Sequence, residues 1–496
     1  MADKMSAAGG MKELPSAFVE EMKDLFAKLP GVSVSELPAF LESFRGERSY
    51  GLRRNPLKYT RDEFERKMPF SLERVPWAEE GYFYKKEEQP GKSPYHEVGA
   101  FYIQEPSAMI AAELLAAKPG ERILDLCAAP GGKSTQIAGK MQGEGLLVCN
   151  EYVSGRAEIL FQNMERIGAP DCVILNESAD RIAEVFPLFF DRVLVDAPCS
   201  GEGMFRKEEQ ALLQWSTENV SMCAQRQREI LEEAAKMVKP GGVLVYATCT
   251  FSEAEDEAVI RQFLETHEEF LADETVLSKE MSAAGICPGG LPGTVRMWPH
   301  KLRGEGHFAA RLLKAGTDRK VCCEEATDGS RKKNSLNRSK KKQNGYCKNE
   351  IGRRNSSEQE REDYFRDFCE KYLMECYRDK LGKDGSFVWY GQHLYLVSKE
   401  LAKMAGLRVK RGGLHLGEAK KGRFEPSHTW AMTLKKEDVL QSLEIEDPAA
   451  YLRGETLENR GYQGWLLILF EGKPMGFGKA GGNMIKNHYP KGLRRS

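Results

Sequence analysis

The chain has 496 residues, of which 73 are lysine or arginine and 74 are aspartate or glutamate. This length predicts about three domains, and the net charge of -1 excludes a uniformly basic nucleic-acid-binding protein. The 12 cysteines show no C-x-x-C pair, which predicts reduced, buried thiols, no metal and a reducing cytoplasm. No membrane span or signal peptide is predicted, because no apolar run approaches about 18 residues.

Residues 1–95 open with two predicted helices, the second near residues 39–44. The first ends at Pro30-Gly31 and has apolar side chains at helical spacing: Phe18, Met22, Leu25, Phe26 and Leu29. The segment that follows interleaves cations with aromatic rings: Arg45, Arg48, Tyr50, Arg53, Arg54, Lys58, Tyr59 and Arg61. Because such mixtures suit phosphates and unstacked bases, we expect an RNA-binding extension, although an ordinary solvated surface is an equal alternative.

Residues 96–315 alternate strand and helix signals. A helix is predicted near 106–117, and further helices near 133–141, 154–167 and 217–238. Buried strands are predicted at 121–125, 145–151, 172–178, 192–198 and 242–249, and TVRMWP and HFAARLLK are expected to close the sheet as a hairpin. This pattern predicts an α/β fold with a doubly wound, mostly parallel sheet of seven strands.

The stretch ERILDLCAAPGGKST reads as a strand that ends at Asp125 and passes through a loop into a helix. It lacks the glycines of phosphate-gripping and dinucleotide-binding loops, so ATP and NAD are disfavoured and S-adenosylmethionine is expected, with a purely structural turn as the alternative. We expect the cofactor to contact Cys127, Ala128, Ala129, Pro130, Gly131, Gly132 and Lys133. Glu151, about twenty residues after the loop, is expected to bind ribose hydroxyls, and Asp180 the adenine amino group.

Two later predicted strands end in an aspartate and cysteines that are candidates for catalysis. Asp196 and Cys199 follow one, Cys249 follows the next, and both strand ends are expected at the ligand-binding edge of the sheet. Methylation of cytosine at C5 needs a thiolate to add at C6, and Lys133 is a candidate to favour that thiolate. Asp196 is suited to the N3/N4 edge of the base. Alternatively, both thiols are ordinary core cysteines.

After residue 315 the pattern changes. Residues 316–360, including RKKNSLNRSKKK, have no apolar periodicity and are predicted to form a basic flexible linker. Residues 361–425 are expected to form a first C-terminal domain that begins with a helix near 364–378. Residues 426–496 contain two apolar strands about a turn and a basic tail, which suits RNA binding or, equally, a plain interaction module.

DLCAAPGGKS, DAPCSGEG and ATCTF together resemble the Sun/Fmu-type RNA (cytosine-5)-methyltransferases over about 100–315. The resemblance implies a methyltransferase sheet, an S-adenosylmethionine site lined by 127–133, Glu151, Asp180 and Asp196, Cys249 as the nucleophile and Cys199 in product release. The family usually has serine where this chain has Thr250. The flanks, including GLRRNPLK and a C-terminal module similar to the RNA-binding PUA fold, resemble the bacterial RsmF type, which implies ribosomal RNA or a small-subunit particle as partner.

Other functions remain open at this point. A DNA cytosine-5 methyltransferase is disfavoured because its nucleophile lies in a Pro-Cys motif, whereas Cys249 follows Thr248. A transfer-RNA methyltransferase and a non-catalytic ribosome-assembly factor are further alternatives, although the retained cysteines disfavour the latter. We expect a monomer whose RNA affinity resides largely outside the catalytic sheet, so that deletion of 361–496 spares cofactor binding.

Overall fold

The computed structural model describes residues 13–316, 356–383, 385–404 and 406–494. Most of the predicted basic linker lies outside the described residues, and its last part is wrong, because residues 356–360 already belong to a helix. Within the described ranges, no helix is long and apolar enough to cross a membrane. The same ranges contain no group of three or more His, Cys, Asp or Glu side chains placed to hold a metal ion.

The N-terminal region contains the two predicted helices and a small antiparallel sheet of four strands. Its elements are α1 (Ser16–Lys28), α2 (Leu37–Ser43), β1 (Gly51–Arg54), α3 (Arg61–Lys67), β2 (Glu73–Arg74), β3 (Gly81–Phe83), α4 (Pro94–Glu97) and β4 (Phe101–Ile103). The apolar face of α1 is buried as its spacing predicts, and Phe26 packs edge-on against Trp298 of the central domain. The N-terminal helices are therefore docked on the central domain.

Three of the eight residues of the cation-rich segment are buried and Lys58 is half-buried, so the interpretation of the segment as an RNA-facing surface is wrong for these four. Arg53, Arg54 and Tyr59 are buried, and Lys58 donates from Nζ to the Val98 carbonyl at 2.7 Å. Burial lowers the pKa of Lys58 to about 7. Arg48 stays exposed and lies over the Tyr50 ring, 4.8 Å from its centroid. Buried cations are tolerated here because backbone carbonyls and carboxylates satisfy their donors.

The central domain is a doubly wound α/β unit. Its helices are α5 (Ile110–Leu115), α6 (Gly132–Met141), α7 (Ser154–Ile167), α8 (Ala179–Val185), α9 (Glu209–Gln214), α10 (Thr217–Met237), α11 (Glu257–Thr266) and α12 (Lys279–Ala283). Its strands are β5 (Arg122–Asp125), β6 (Leu146–Asn150), β7 (Cys172–Leu175), β8 (Phe190–Asp196), β9 (Val238–Thr248), β10 (Phe270–Ala272), β11 (Cys287–Pro288), β12 (Thr294–Met297) and β13 (His307–Lys314).

The five central strands are parallel in the order β9-β8-β5-β6-β7, and β13 and β12 extend the sheet antiparallel from β9. These are the seven predicted strands. The sheet also includes three short additions, β10, β11 and a strand from the C-terminal region, and so has ten in all. Apolar clusters cover both of its faces, as the near-continuous apolar strands require.

The C-terminal region has two small sheets. Its helices are α13 (Ser356–Tyr372), α14 (Glu375–Arg378), α15 (His428–Ala431) and α16 (Ala449–Arg453). Its strands are β14 (Gly385–Tyr390), β15 (His393–Ser398), β16 (Val409–Arg411), β17 (Leu414–Lys420), β18 (Arg423–Pro426), β19 (Ser442–Glu444), β20 (Leu457–Glu458), β21 (Gly464–Phe470), β22 (Lys473–Gly481) and β23 (Met484–Asn487). The two predicted apolar strands about a turn are β21 and β22, which pair antiparallel.

This region is packed into the rest of the molecule. β16 pairs antiparallel with β7 and so becomes the edge of the central sheet. In a second contact, Tyr451 and Ile468 join Leu52 and Phe101 of the N-terminal sheet in one apolar cluster. The C-terminal region therefore adds a strand to the central sheet and apolar side chains to the core of the N-terminal sheet.

Candidate active site

A loop of small residues connects β5 to α6 at the carboxyl edge of the sheet. Gly131 caps α6 with a φ of 111°, a left-handed conformation that favours glycine. Asp125 ends β5 fully buried and accepts a hydrogen bond from Ser134 Oγ at 2.6 Å. Its other oxygen, Oδ1, has no hydrogen-bond partner among the described residues, and burial raises the pKa of this carboxyl to about 7.

Three side chains from other elements hold this loop by its carbonyl oxygens. Arg156 and Asn163 of α7 donate to the Ala129 and Pro130 carbonyls, each at 2.7 Å. Arg53 of β1 donates to the Gly132 carbonyl at 2.9 Å and to Thr135 Oγ1 at 2.6 Å. The conformation of the loop is thus fixed from both the central and the N-terminal domain.

Glu151 lies directly after β6 and is buried at the same edge. Its Oε1 accepts from the Val153 backbone N–H at 2.8 Å, and its Oε2 lies 3.5 Å from Arg156. Asn150 donates to the Leu126 and Glu177 carbonyls and so connects the strand ends. Sequence reasoning misses this asparagine, although a polar residue at the end of an apolar strand is a usable signal.

Asp180 lies apart from these buried acids. It is exposed in the first turn of α8, and hydrogen bonding from Ser178 lowers its pKa. The structure therefore leaves Asp180 exposed to solvent, whereas Glu151 is buried. Cys127 is half-buried in the loop itself, and burial raises the pKa of its thiol.

The two predicted thiols meet. Cys199 follows β8, Cys249 follows the neighbouring β9, and their sulfur atoms are 3.3 Å apart with both side chains half-buried. The hydrogen bond between the two thiols, together with burial, raises the pKa of Cys199 well above its ordinary value. Cys199 is therefore kept protonated beside its neighbour.

A charged pair lies in the same crevice. Lys133, in the first turn of α6, donates from Nζ to Asp196 Oδ2 at 2.7 Å. Burial opposes the charge on Lys133, but Asp196 outweighs it and the pKa of the lysine is raised. A negative charge on Cys249 is a further and smaller cause of the raised pKa of Lys133. Lys133 thus supplies fixed positive charge near Cys249.

A layer of polar contacts positions the cysteine-bearing loops. Glu255 Oε2 accepts from the Ser200 backbone N–H at 3.0 Å and from Gln227 at 2.8 Å. The Ser200 and Thr250 hydroxyls are 2.9 Å apart, so the residue after each cysteine is bonded to the residue after the other. Thr250 makes the contact through its hydroxyl, a group that serine also carries.

His307, at the start of β13, is a residue of this crevice that the sequence does not single out. It is buried, and its Nε2 is 4.0 Å from Asp196 Oδ1. A lone histidine before an apolar strand carries no motif from which its position could be found. Four predicted side chains, Lys133, Asp196, Cys199 and Cys249, converge here.

The fold and this site define a class, the Rossmann-type methyltransferases, in which a nucleotide-binding loop and reactive side chains share the carboxyl edge of a parallel sheet. Residues 112–313 match the model of the 16S rRNA methyltransferase RsmB/F family. Further RsmF models match residues 14–106 (N-terminal domain), 367–434 (first C-terminal domain) and 441–495 (PUA domain). The chain belongs to the RsmB/F family and has the domain set of its RsmF members.

Known relatives agree with this placement. The chain is 32% identical to the ribosomal RNA small subunit methyltransferase F of Vibrio vulnificus strain YJ016, across 97% of this chain and 98% of the relative. The crystal structure of PH0851 has a TM-score of 0.55 at 30% identity and covers 61% of this chain and 66% of that one. NSun6 from Pyrococcus horikoshii with SFG has the same fold, with a TM-score of 0.51 at 21% identity, 60% of this chain and 98% of that one.

Proposed function

We propose that this enzyme transfers a methyl group to C5 of a cytosine in small-subunit ribosomal RNA through a covalent bond between Cys249 and C6 of the base. The observation that carries the proposal is the 3.3 Å contact between Cys199 and Cys249 beside the pair of Lys133 and Asp196. Two thiols in one crevice suit a reaction that needs both an attacking group and a group that handles a proton.

The loop residues fit S-adenosylmethionine, which the family uses. A buried carboxylate oxygen of Asp125 without a partner among the described residues, the buried Glu151 at the end of β6 and the small loop residues 127–132 together suit a nucleoside. Bound there, S-adenosylmethionine supplies an electrophilic methyl group to the crevice. Asp180, exposed in the first turn of α8, would also contact the nucleoside, and Asp196 would line the site at its catalytic end.

The four converging side chains have distinct roles in this proposal. Cys249 Sγ adds to C6, with Lys133 favouring its thiolate form, and the electron pair displaced from the C5–C6 bond makes C5 nucleophilic. Asp196 binds the N3/N4 edge and stabilises the activated ring. After C5 is methylated, Cys199 releases its own thiol proton to solvent and takes up the C5 proton. The electron pair of the C5–H bond re-forms the C5–C6 double bond as the bond between Cys249 and C6 breaks and Cys249 leaves as a thiolate.

The target is inferred from the domain set and from relatives named as small-subunit methyltransferases. We propose residues 1–95 as an N-terminal extension, 96–315 as the catalytic domain, and 361–425 and 426–496 as C-terminal domains, the last of them RNA-binding. The proposal includes a cytoplasmic monomer without a bound metal. Transfer RNA is the second candidate substrate, because the catalytic crevice itself does not distinguish the two.

Incubation with labelled S-adenosylmethionine tests the reaction. We expect label to enter 16S ribosomal RNA or a small-subunit particle and to leave transfer RNA and DNA unlabelled. Label in transfer RNA alone would replace the proposed target, and no transfer to any RNA would favour a non-catalytic assembly factor.

Glu151→Ala tests the cofactor site. We expect the dissociation constant for S-adenosylmethionine to rise about 10- to 100-fold, because two hydroxyl-binding oxygens at the end of β6 are lost. Isothermal calorimetry without RNA measures it. Asp180→Ala is the matched comparison and should have the smaller effect, because Asp180 is exposed. Unchanged affinity in Glu151→Ala would show that the ribose contact is wrongly assigned.

A further inference from the structure

His307 occupies a place in the sheet that brings it to the reactive thiol. It pairs with Met297 of β12, and the next residue, Phe308, pairs with Thr248. In this antiparallel register, the next position beyond the pair of Phe308 and Thr248 sets His307 opposite Cys249. The carbonyl oxygens of Cys249 and Gly306 also lie together, since a Cβ on Gly203 would meet them at 2.9 and 3.1 Å. His307 thus begins the strand that flanks the proposed nucleophile.

The imidazole is buried without its hydrogen bonds. His307 is 2% exposed, and neither Nδ1 nor Nε2 has a hydrogen-bond partner among the residues that the structure describes. Burying such a ring costs free energy that a phenyl ring in the same space would not. A nitrogen-bearing ring at this place is therefore hard to explain by packing alone.

The group that faces the ring is Asp196. Its Oδ1 lies 4.0 Å from His307 Nε2, while its Oδ2 accepts from Lys133 at 2.7 Å. Burial and the neighbouring Lys133 hold the pKa of His307 well below its ordinary value and outweigh a backbone contact of Gly306, which is not of normal hydrogen-bond geometry and raises the pKa. The ring is therefore neutral and carries one N–H donor. It can donate a hydrogen bond to Asp196 without adding a second positive charge beside Lys133.

We propose that His307 is a positioning residue that fixes the Asp196 carboxylate for the target base. Movement of about 1 Å brings Nε2 within hydrogen-bond distance of Oδ1, and the carboxylate is then held by Lys133 on one oxygen and His307 on the other. An ionised carboxylate oxygen accepts more than one hydrogen bond, so Oδ1 receives His307 and the cytosine edge together. This inference rests on the proposed role of Asp196 in cytosine methylation.

Two substitutions separate positioning from packing. His307→Phe keeps an aromatic ring and removes both nitrogens, whereas His307→Gln retains an N–H donor at a similar reach. Each full-length variant is assayed for kcat and KM with the RNA that the wild type methylates, for S-adenosylmethionine affinity by calorimetry, and for its melting temperature.

We expect His307→Phe to lower kcat at least about 10-fold, because a misplaced catalytic group slows the reaction strongly, with KM and cofactor affinity unchanged and a melting temperature equal to or above that of wild type. His307→Gln should recover most of that loss. Wild-type kcat in His307→Phe, a change confined to KM, or equal losses in both variants would overturn the proposal. Wild type and Cys249→Ala in the same assay report on the proposed function itself, which fails if wild type forms no 5-methylcytosine or if Cys249→Ala forms as much as wild type.

Discussion

Cys249→Ala is expected to abolish methyl transfer, and Cys199→Ala is expected to accumulate a covalent complex between protein and RNA. Without Cys249 no bond to C6 can form, so activity should fall at least about 1,000-fold. Without Cys199 the attack still proceeds, but proton removal and release of Cys249 stall. The 3.3 Å contact between the sulfur atoms is the physical basis for assigning both to one reaction cycle.

A denaturing gel after incubation with RNA and S-adenosylmethionine distinguishes the two variants. Cys199→Ala should give a shifted band and Cys249→Ala none. Cys369→Ala, which changes a buried thiol of α13 in the C-terminal region, is the matched control and should behave like wild type. A shifted band in Cys249→Ala alone would exchange the roles of the two cysteines, and full activity in both would exclude covalent catalysis.

Deletion of 361–496 is expected to destabilise the whole protein, contrary to the sequence-based expectation that cofactor binding would be spared. β16 forms an edge of the central sheet, and Arg408 donates through its backbone N–H to the buried Glu177 at 2.9 Å. Asn150, at the end of β6, is bonded to the Glu177 backbone. Loss of the C-terminal region therefore removes a support of the cofactor edge.

The loss of buried apolar contacts is expected to destabilise the protein more than the loss of these hydrogen bonds. Removal of Tyr451 and Ile468 uncovers Leu52 and Phe101, and each large side chain exposed costs roughly 1.5–3 kcal/mol. We expect chain 1–360 to aggregate or to melt at least about 10 °C lower, with weakened S-adenosylmethionine binding. The control, Lys486→Ala with Lys491→Ala, alters exposed positions in the same region and should leave the melting temperature unchanged. A truncated chain with wild-type melting and cofactor affinity would show that the region is an independent module.

The catalytic sheet can be predicted because local signals and tertiary structure agree there. Its parallel strands are near-continuous apolar runs, and chemically distinctive residues follow them, so the strand pattern alone is enough to place Asp196, Cys199 and Cys249 at one edge. β16 could not be predicted, since a three-residue polar strand has no periodicity of its own and forms only because β7 offers an unpaired edge.

The buried cations show a second limit of sequence reasoning. Their charge favours a surface position for Arg53 and Lys58, because charged side chains are seldom buried. In the structure, Arg53 binds the Gly132 carbonyl of the loop and Lys58 binds the Val98 carbonyl. These two partners are backbone carbonyls, which any sequence supplies, so no pattern of side chains predicts the contacts.

Identification of the methylated nucleoside in ribosomal RNA tests most directly whether the enzyme forms 5-methylcytosine through a Cys249 adduct. Wild-type protein is incubated with labelled S-adenosylmethionine and small-subunit RNA, and the RNA is digested and its nucleosides are identified by mass spectrometry, with Cys249→Ala in parallel. We predict label in 5-methylcytidine for the wild type and none for Cys249→Ala. Label in another methylated nucleoside, or equal 5-methylcytidine from both proteins, would contradict methylation through a Cys249 adduct.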